Sequence, residues 1–164
     1  MESHKQGLLE KLREKTAQVC VIGMGYVGLP LAVEFAGAGL SVVGLDINDK
    51  KCERINDGQS YIQDIPSEII AELVDDGLLR ATTDYSVLDT VDAVVICVPT
   101  PLGKSKDPDI SYIVAAADEL TEHVHGGMLV VLESTTYPGT TEEILMPRLA
   151  GNGYAVGEDI FLAF

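Results

Sequence analysis

The chain has 164 residues, enough for one domain with its own hydrophobic core, and its 46% hydrophobic and 23% charged residues are typical of a globular protein, not a disordered one. Its formal net charge of -15 disfavours binding to nucleic acids and to anionic membranes. No apolar run is long enough to cross a bilayer, and the polar N-terminus lacks the hydrophobic segment of a secretion signal, so we expect a cytoplasmic protein.

The first half of the chain predicts helices that alternate with short, mostly apolar strands. A short amphipathic helix over residues 7–15 comes first, within a lead-in segment that we place at residues 1–16. The predicted elements that follow are a strand at 18–22, a helix at 27–37, a strand at 40–45, helices at 49–56 and 67–76, and a strand at 79–83. Pro30 is compatible with its helix because it falls in the first turn, where a missing N–H leaves no hydrogen bond unmade.

The same alternation continues through the second half of the chain. The predicted elements are a strand at 91–98, a polar loop at 102–109, a helix at 110–124, a strand at 128–132, a helix at 140–149 and a strand at 160–164. Buried strands separated by helices favour a parallel sheet with helices on both faces, and right-handed crossovers make such a sheet doubly wound. We therefore predict a Rossmann-type α/β fold, as one domain over residues 1–164.

A glycine cluster follows the first predicted strand. Gly23, Gly25 and Gly28 match the pattern G-x-G-x-x-G between an apolar strand and an apolar helix, the context in which this pattern binds a dinucleotide. Gly23 would permit a tight turn, Gly25 a close approach of the backbone to a pyrophosphate, and Gly28 close packing of helix on strand. The alternative is a glycine-rich turn without a ligand. We predict that the whole turn contacts the cofactor, namely Gly23, Met24, Gly25, Tyr26, Val27 and Gly28.

Asp46 ends the second predicted strand, about 20 residues after the glycine cluster, as the dinucleotide fingerprint requires. Its carboxylate could accept hydrogen bonds from both hydroxyls of the adenosine ribose and would repel a 2′-phosphate, so it favours NAD over NADP. Alternatively, Asp46 only caps the helix that starts near Asp49. Lys51, in the first turn of that helix, could reach the adenosine side of the cofactor or could be a solvated surface lysine.

Polar residues also follow two later strands, where ligands of parallel sheets bind. Val98 precedes Pro99-Thr100-Pro101, and Thr135 lies in the segment Ser134-Thr135-Thr136. The hydroxyls of Thr100 and Thr135 could bond the ribose, the nicotinamide or a water, or could only cap a local turn. We expect Val98, Thr100 and Thr135 to contact the cofactor.

No nucleophile and base pair emerges from the sequence. His123 and His125 lie at a helix terminus and are interpreted as surface or capping residues, and Cys97 should pack inward. Cys20, Cys52 and Cys97 form no CxxC pair and show no ligand spacing to a histidine, so no metal site is predicted. Cys20 and Cys97 lie in apolar runs and indicate buried thiols in a reducing compartment.

Taken together, these motifs resemble the N-terminal domain of the nucleotide-sugar 6-dehydrogenases, also called UDP-glucose/UDP-N-acetylmannosamine dehydrogenases. The resemblance runs from about Ala17 to the end of the chain. It is carried by the segments VIGMGYVGLP at 21–30, DIN at 46–48, INDG at 55–58, ICVPTP at 96–101, PDISY at 108–112 and ESTTYPGTT at 133–141. The form of the last segment is most similar to members that act on UDP-N-acetylhexosamines.

The resemblance implies a four-electron oxidation of a sugar C6 hydroxyl to a carboxylate by two NAD+, through a thiohemiacetal and a thioester on a cysteine. By motif, the three glycines would take the pyrophosphate, Asp46 the ribose with Lys51 near it, and Thr100 another part of the cofactor. Thr135 would bind the cofactor or the water used in the reaction, which makes it the one candidate catalytic residue of the chain.

In this family the nucleophilic cysteine lies in a later part of the chain, beyond a linking helix, and none of the three cysteines here matches it. Together with the apolar end at 161–164, this predicts a fragment of a longer protein, which binds NAD without turning over substrate. The UDP-sugar would bind mainly to the missing C-terminal domain, and the full-length protein would be a homo-oligomer. Two alternatives remain: another Rossmann dehydrogenase, of the hydroxyacyl-CoA or 6-phosphogluconate type, and a non-catalytic NAD-sensing module.

Overall fold

The structure is a computed structural model that describes residues 3–103 and 108–164. Its strands are β1 (Gln18–Ile22), β2 (Ser41–Leu45), β3 (Leu79–Thr82), β4 (Ala93–Ile96), β5 (Leu129–Leu132) and β6 (Phe161–Ala163). Its α-helices are α1 (His4–Glu14), α2 (Gly28–Gly37), α3 (Asp49–Asn56), α4 (Ser67–Asp75), α5 (Ser111–Thr121) and α6 (Met146–Ala150). A 3-10 helix spans Tyr85–Asp89, and a π-helix, Thr141–Leu145, leads directly into α6.

The six strands form one parallel sheet in the order β3-β2-β1-β4-β5-β6. The chain runs outward from β1 to β3, then returns to the other side of β1 with β4, so the winding direction switches between β1 and β4. Ile22 at the end of β1 is paired with Leu45 of β2 and Ile96 of β4. The central strands therefore end at the same level, and a crevice opens at their carboxyl ends. The predicted doubly wound α/β fold is confirmed.

Both faces of the sheet are covered because successive side chains of a strand point to opposite faces. In β1, Val19 and Val21 enter one core, whereas Cys20 and Ile22 enter the other. The first core includes Leu29 of α2 and Ile70 of α4, and the second includes Ile113 of α5 and Leu149 of α6. The strands are mostly apolar, without strict polar alternation, because neither face of the sheet is left to water.

The lead-in helix α1 begins at His4, three residues before the predicted start, because Ser3 caps it by accepting a hydrogen bond from the Gln6 N–H. Lys11 of α1 forms an ion pair with Asp92, with Nζ and Oδ1 2.5 Å apart. The same carboxylate accepts the N–H of Gln18, the first residue of β1, at 2.9 Å. Asp92 therefore fastens α1 to the amino ends of β1 and β4.

The bounds of β4 and the segment before it also differ from the prediction. The strand predicted at 91–98 is β4 and covers only Ala93–Ile96, since its flanks turn away into the contact at Asp92 and into the crevice. The 3-10 helix before it was not predicted; Asp84 starts it by accepting the Ser86 N–H. The predicted loop at 102–109 includes residues 104–107, which lie outside the described residues. No helix in the described ranges is long and apolar enough to cross a membrane.

Gly44 of β2 provides a test of the first core. A methyl group at this position would lie 2.6 Å from Cε and 2.7 Å from Sδ of Met24, a side chain that is fully buried. We expect Gly44→Ala to lower the free energy of unfolding by about 1–3 kcal/mol, because Met24 must leave its place in a packed core. Urea unfolding measures this change.

Gly7→Ala is the matched control, since nothing lies within 4 Å of the added methyl group in the exposed helix α1. This variant should be as stable as the wild type or more stable, by up to about 1 kcal/mol. Equal stabilities for Gly44→Ala and the wild type would contradict the close packing of Met24 against β2.

Candidate functional site

A cleft of about 590 Å³ opens at the carboxyl ends of the central strands. Its walls come from the glycine turn after β1, the tip of β2, the loop after α3, and the tips of β4 and β5. The lining residues are Gly23, Gly25, Tyr26, Val27, Asp46, Lys51, Tyr61, Ile62, Cys97, Val98, Pro99, Thr100, Glu133, Ser134 and Thr135. The structure thus brings most of the predicted cofactor residues together at the switch point between β1 and β4.

The three glycines of the turn meet different constraints. Gly23 has a φ of 93°, and a Cβ there would lie 2.8 Å from the Cys97 carbonyl oxygen. A Cβ on Gly28 would lie 1.8 Å from the carbonyl oxygen of Gly23, so α2 could not approach the strand. At Gly25 nothing lies within 4 Å of an added Cβ. Gly23 and Gly28 are therefore required by the protein itself, whereas Gly25 leaves space open at the cleft.

The turn presents free N–H groups at the start of α2. Val27 occupies the N-cap position, and no side chain caps the helix there. Within the described ranges, the N–H groups of Tyr26 and Val27 donate to no protein acceptor. Tyr26 itself is 83% exposed. Unpaired N–H groups at a helix N-terminus, combined with the helix dipole, form a site for an anionic group such as a phosphate.

Asp46 lies at the cleft and is buried, with 8% of the residue exposed. Its carboxylate accepts three hydrogen bonds. Its Oδ2 accepts from the Met24 N–H at 2.8 Å and from Lys51 Nζ at 3.0 Å, and its Oδ1 accepts from the Asn48 N–H at 3.0 Å. The cap of α3 is Asn48, whose side chain accepts from the N–H groups of Lys50 and Lys51. Asp46 therefore faces the cleft and Lys51 is its ion-pair partner.

Met24 lies beneath the turn, not in the cleft. Its side chain packs in the first core, its N–H donates to Asp46, and its carbonyl oxygen accepts the Tyr61 hydroxyl at 2.6 Å. Tyr61 was not among the predicted site residues, because nothing in the sequence marks a contact between residues 37 positions apart. Burial is the main cause that raises the pKa of Tyr61 above its ordinary value, and the charge of Asp46 adds to it. The hydroxyl therefore remains protonated and can donate.

The other wall consists of the tips of β4 and β5. Ser134 is buried, and its hydroxyl donates to the Val98 carbonyl oxygen at 2.8 Å, which fixes the two tips relative to each other. Thr100 and Thr135 line the cleft, and their predicted contact with the cofactor remains a prediction. Glu133 adds a carboxylate that the sequence analysis did not single out, although it directly precedes Ser134.

Cys97 forms part of the floor and is not a nucleophile in this state. Burial is the main cause that raises the pKa of its thiol to about 12, and the charge of Glu133 adds to it. His123 contacts Asp89, and His125 contacts the Val91 carbonyl oxygen, so both lie at the amino ends of the strands, away from the cleft. In the part of the chain that the structure describes, no group of three or more His, Cys, Asp or Glu side chains could hold a metal ion.

A second cleft of about 330 Å³ lies on the other side of Asp46 and Lys51. Its walls are largely apolar and aromatic, and include Ile47, Tyr85, Pro99, Tyr112 and Ala115. Asp46 and Lys51 therefore line both this mainly apolar slot and the larger opening at the glycine turn. An adenosine diphosphate has the same sequence of groups, namely a flat apolar base, a sugar with two hydroxyls and a diphosphate.

The sequence profile of the NAD binding domain of the UDP-glucose/GDP-mannose dehydrogenase family matches residues 17–162. The chain belongs to this family. NAD is therefore the cofactor of the domain, and the expected resemblance to nucleotide-sugar dehydrogenases is confirmed.

Relatives that act on UDP-N-acetylhexosamines by name are among the similar proteins. The UDP-N-acetyl-D-mannosamine dehydrogenase of Campylobacter jejuni is 41% identical over 129 residues, which are 77% of this chain and 31% of that protein. The UDP-N-acetyl-D-glucosamine 6-dehydrogenase of Pseudomonas aeruginosa is 36% identical over 151 residues, which are 92% of this chain and 35% of that protein. The solved UDP-N-acetyl-mannosamine dehydrogenase Cap5O of Staphylococcus aureus superposes with a TM-score of 0.82 at 32% identity, over 89% of this chain and 35% of that one. The chain thus spans about a third of the length of these relatives.

The buried thiols predict a loss of stability at alkaline pH. Burial raises the pKa of both Cys20 and Cys97 from 9.0 to about 12. Between these values the unfolded chain releases protons that the folded chain keeps, so the free energy of unfolding should fall as the pH rises from about 9 toward 12. Below about pH 9 both thiols are protonated in the folded and in the unfolded chain, so they do not make the free energy of unfolding depend on pH.

Chemical unfolding at a series of pH values measures this effect in the wild type and in Cys97→Ala. The alkaline slope of the variant should be less steep, by up to one proton, because one of the two thiols whose pKa is raised to about 12 is gone. Identical slopes would show that Cys97 ionises equally in both states.

Proposed function

We propose that this domain supplies the NAD site of a nucleotide-sugar 6-dehydrogenase, which oxidises the C6 hydroxyl of a UDP-sugar, most closely a UDP-N-acetylhexosamine, to a carboxylate with two NAD+. The observation that carries the proposal is the junction of unpaired N–H groups at the glycine turn with the Asp46–Lys51 pair. The names of the similar proteins, which act on N-acetylated nucleotide sugars, support the substrate class.

The residues of the two clefts fit NAD in one direction. The diphosphate would lie at Gly25, Tyr26 and Val27, where a side chain on Gly25 would fill the space it needs. The adenosine ribose would lie at Asp46, with the adenine in the slot beside Ile47. A carboxylate has about four acceptor positions, and three are occupied, so one ribose hydroxyl can bind without any change and a second requires Lys51 to move.

The nicotinamide end would then lie toward the tips of β4 and β5, beside Thr100 and Thr135. When bound, NAD+ accepts the hydride removed from the substrate carbon. Thr135 is the candidate to position the cofactor or a water there, and the hydrogen bond from Ser134 to Val98 holds this wall in shape. The nucleophilic thiol of the reaction would come from another part of the full-length protein, since Cys97 is buried and protonated.

The wider setting of the protein follows from the same proposal. The UDP-sugar would bind mainly outside this domain, and the full-length protein would be a homo-oligomer. A cytoplasmic location is supported by the three cysteines, all of which are free and buried. The net charge of -15 supports the absence of a role in binding nucleic acids or anionic membranes.

Asp46→Asn tests the role of the carboxylate in holding the ribose. The variant keeps the size of the side chain but loses the charge that strengthens a hydrogen bond from a hydroxyl. We expect the affinity for NAD+ to fall by about tenfold or more, and the preference for NAD+ over NADP+ to narrow, because the repulsion of a 2′-phosphate is gone. Isothermal titration calorimetry measures both affinities.

Asp49→Asn is the control for this variant, since Asp49 is an exposed carboxylate in the first turn of α3. Its affinity for NAD+ should equal that of the wild type. Equal losses in Asp46→Asn and Asp49→Asn would contradict a direct role for Asp46.

Gly25→Ala separates the fold from the binding of the diphosphate. Nothing lies within 4 Å of the added methyl group, so the melting temperature should stay close to that of the wild type. The affinity for NAD+ should fall strongly, by about tenfold or more, because the methyl group occupies the space of the diphosphate.

Gly28→Ala provides the contrast, because its methyl group would lie 1.8 Å from the Gly23 carbonyl oxygen and should destabilise the fold itself. Differential scanning fluorimetry and calorimetry distinguish the two effects. Full NAD+ affinity in a folded Gly25→Ala would contradict a diphosphate at the turn.

A further inference from the structure

Tyr61 contacts the glycine turn through its hydroxyl and packs against the first core, which also contains residues of α2. It lies in the segment between α3 and α4, and its hydroxyl donates to the Met24 carbonyl oxygen at 2.6 Å. Tyr61 also lines the main cleft, next to Ile62.

The segment that carries Tyr61 is built as a rigid support. Ile62 and Ile65 anchor it in the first core, and the side chain of Ser60 accepts the Ile62 N–H at 3.1 Å. The guanidinium of Arg54 lies 5.5 Å from the centre of the Tyr61 ring and also donates to the Ser60 carbonyl oxygen. Both the ring and the backbone beside it are therefore held in place.

The contact with Met24 fixes the direction of an N–H group in the turn. In a trans peptide the C=O and the following N–H point in opposite directions, and no described peptide bond is cis. When Tyr61 holds the Met24 carbonyl, the Gly25 N–H must point away from Tyr61. That N–H donates to no protein acceptor in residues 3–103 and 108–164.

The peptide between Gly23 and Met24 is fixed in the same way, by Asp46. Asp46 accepts the Met24 N–H, so the Gly23 carbonyl must point away from Asp46, and it lies against Gly28, where α2 begins. Met24 is thus held through its N–H, its carbonyl oxygen and its buried side chain. The two peptides that open the turn cannot rotate unless one of these contacts breaks.

We propose that Tyr61 is a positioning residue for cofactor binding, which orients the Gly25 N–H as a donor to the diphosphate of NAD by holding the Met24 carbonyl. This role rests on the proposed placement of the diphosphate at the turn. Tyr61 acts through the backbone and leaves the ribose contact of Asp46 in place. Its loss should therefore weaken ligands that contain a diphosphate and spare those that lack one.

Tyr61→Phe tests the role because it removes only the hydroxyl. The ligands are NAD+, ADP-ribose and adenosine, titrated by calorimetry or, for weak binding, by NMR. The variant should bind NAD+ and ADP-ribose about three- to tenfold more weakly, the effect of one lost hydrogen bond. Its affinity for adenosine should stay within about twofold of the wild-type value.

Tyr154→Phe is the matched control, since Tyr154 packs against the second core, away from the cleft. It should bind all three ligands as the wild type does. Unchanged affinity of Tyr61→Phe for ADP-ribose overturns the proposal, and so does an equal loss for adenosine and ADP-ribose, which would indicate general loosening. A wild-type chain that binds neither NAD+ nor ADP-ribose refutes the proposed placement of the diphosphate itself.

A measurement on the wild type keeps the proposal testable if Tyr61→Phe fails to fold. The amide proton of Gly25 should shift on titration with ADP-ribose and should not shift with adenosine. No shift with ADP-ribose, at concentrations that saturate the chain, overturns the assignment of this N–H as a donor.

Discussion

The hydrogen bond from the Met24 N–H to Asp46 joins the connections that follow β1 and β2, which form two of the walls of the cleft. A turn of glycines has few side chains that could pack it into one shape, so its conformation depends on its backbone contacts. A buried carboxylate, in turn, is costly unless donors surround it. Each group therefore stabilises the other: the turn and Lys51 satisfy the charge of Asp46, and Asp46 holds the first peptide of the turn.

This mutual dependence explains why the sequence fingerprint combines glycines with a distant acid. Besides the Met24 N–H, the Asp46 carboxylate accepts hydrogen bonds from Asn48 and Lys51. All three donors belong to the protein itself. The carboxylate is therefore a structural group of the domain as well as a candidate ribose ligand. The alternative in which Asp46 caps α3 is wrong, because the N-cap residue of that helix is Asn48, two positions later.

The fold could be predicted from the sequence because its signals are local and periodic. Apolar strands of three to five residues, glycine turns and helix caps recur every few positions, and the alternation of strands and helices predicted a doubly wound parallel sheet. The 3-10 helix Tyr85–Asp89 was missed because it is too short to show a periodic pattern of apolar residues. The start of α1 was misplaced because the polar residues before Gly7 hid the cap at Ser3.

The candidate site was predicted only where motifs mark it. Asp46, Thr100 and Thr135 could be placed at the cleft from the sequence because ligands of parallel sheets bind at strand ends; that they bind the cofactor remains a prediction. Tyr61 was missed because its partner is a carbonyl oxygen, which any residue supplies, so the contact leaves no trace in the pattern of side chains. For the same reason Met24 was grouped with the cofactor contacts, although its side chain lies in the core and its N–H and C=O bond to the protein.

An acidic chain with a net charge of -15 can still hold a diphosphate because the attraction comes from the backbone. Among the described residues that line the main cleft, Lys51 is the one basic side chain, and its charge is largely compensated by Asp46. On the proposed placement of the diphosphate, the remaining attraction comes from oriented N–H groups, whose dipoles act only over the short distance of a hydrogen bond. Geometry therefore matters more here than charge, and residues that fix the peptides of the turn, with no contact to the ligand, determine how well it binds.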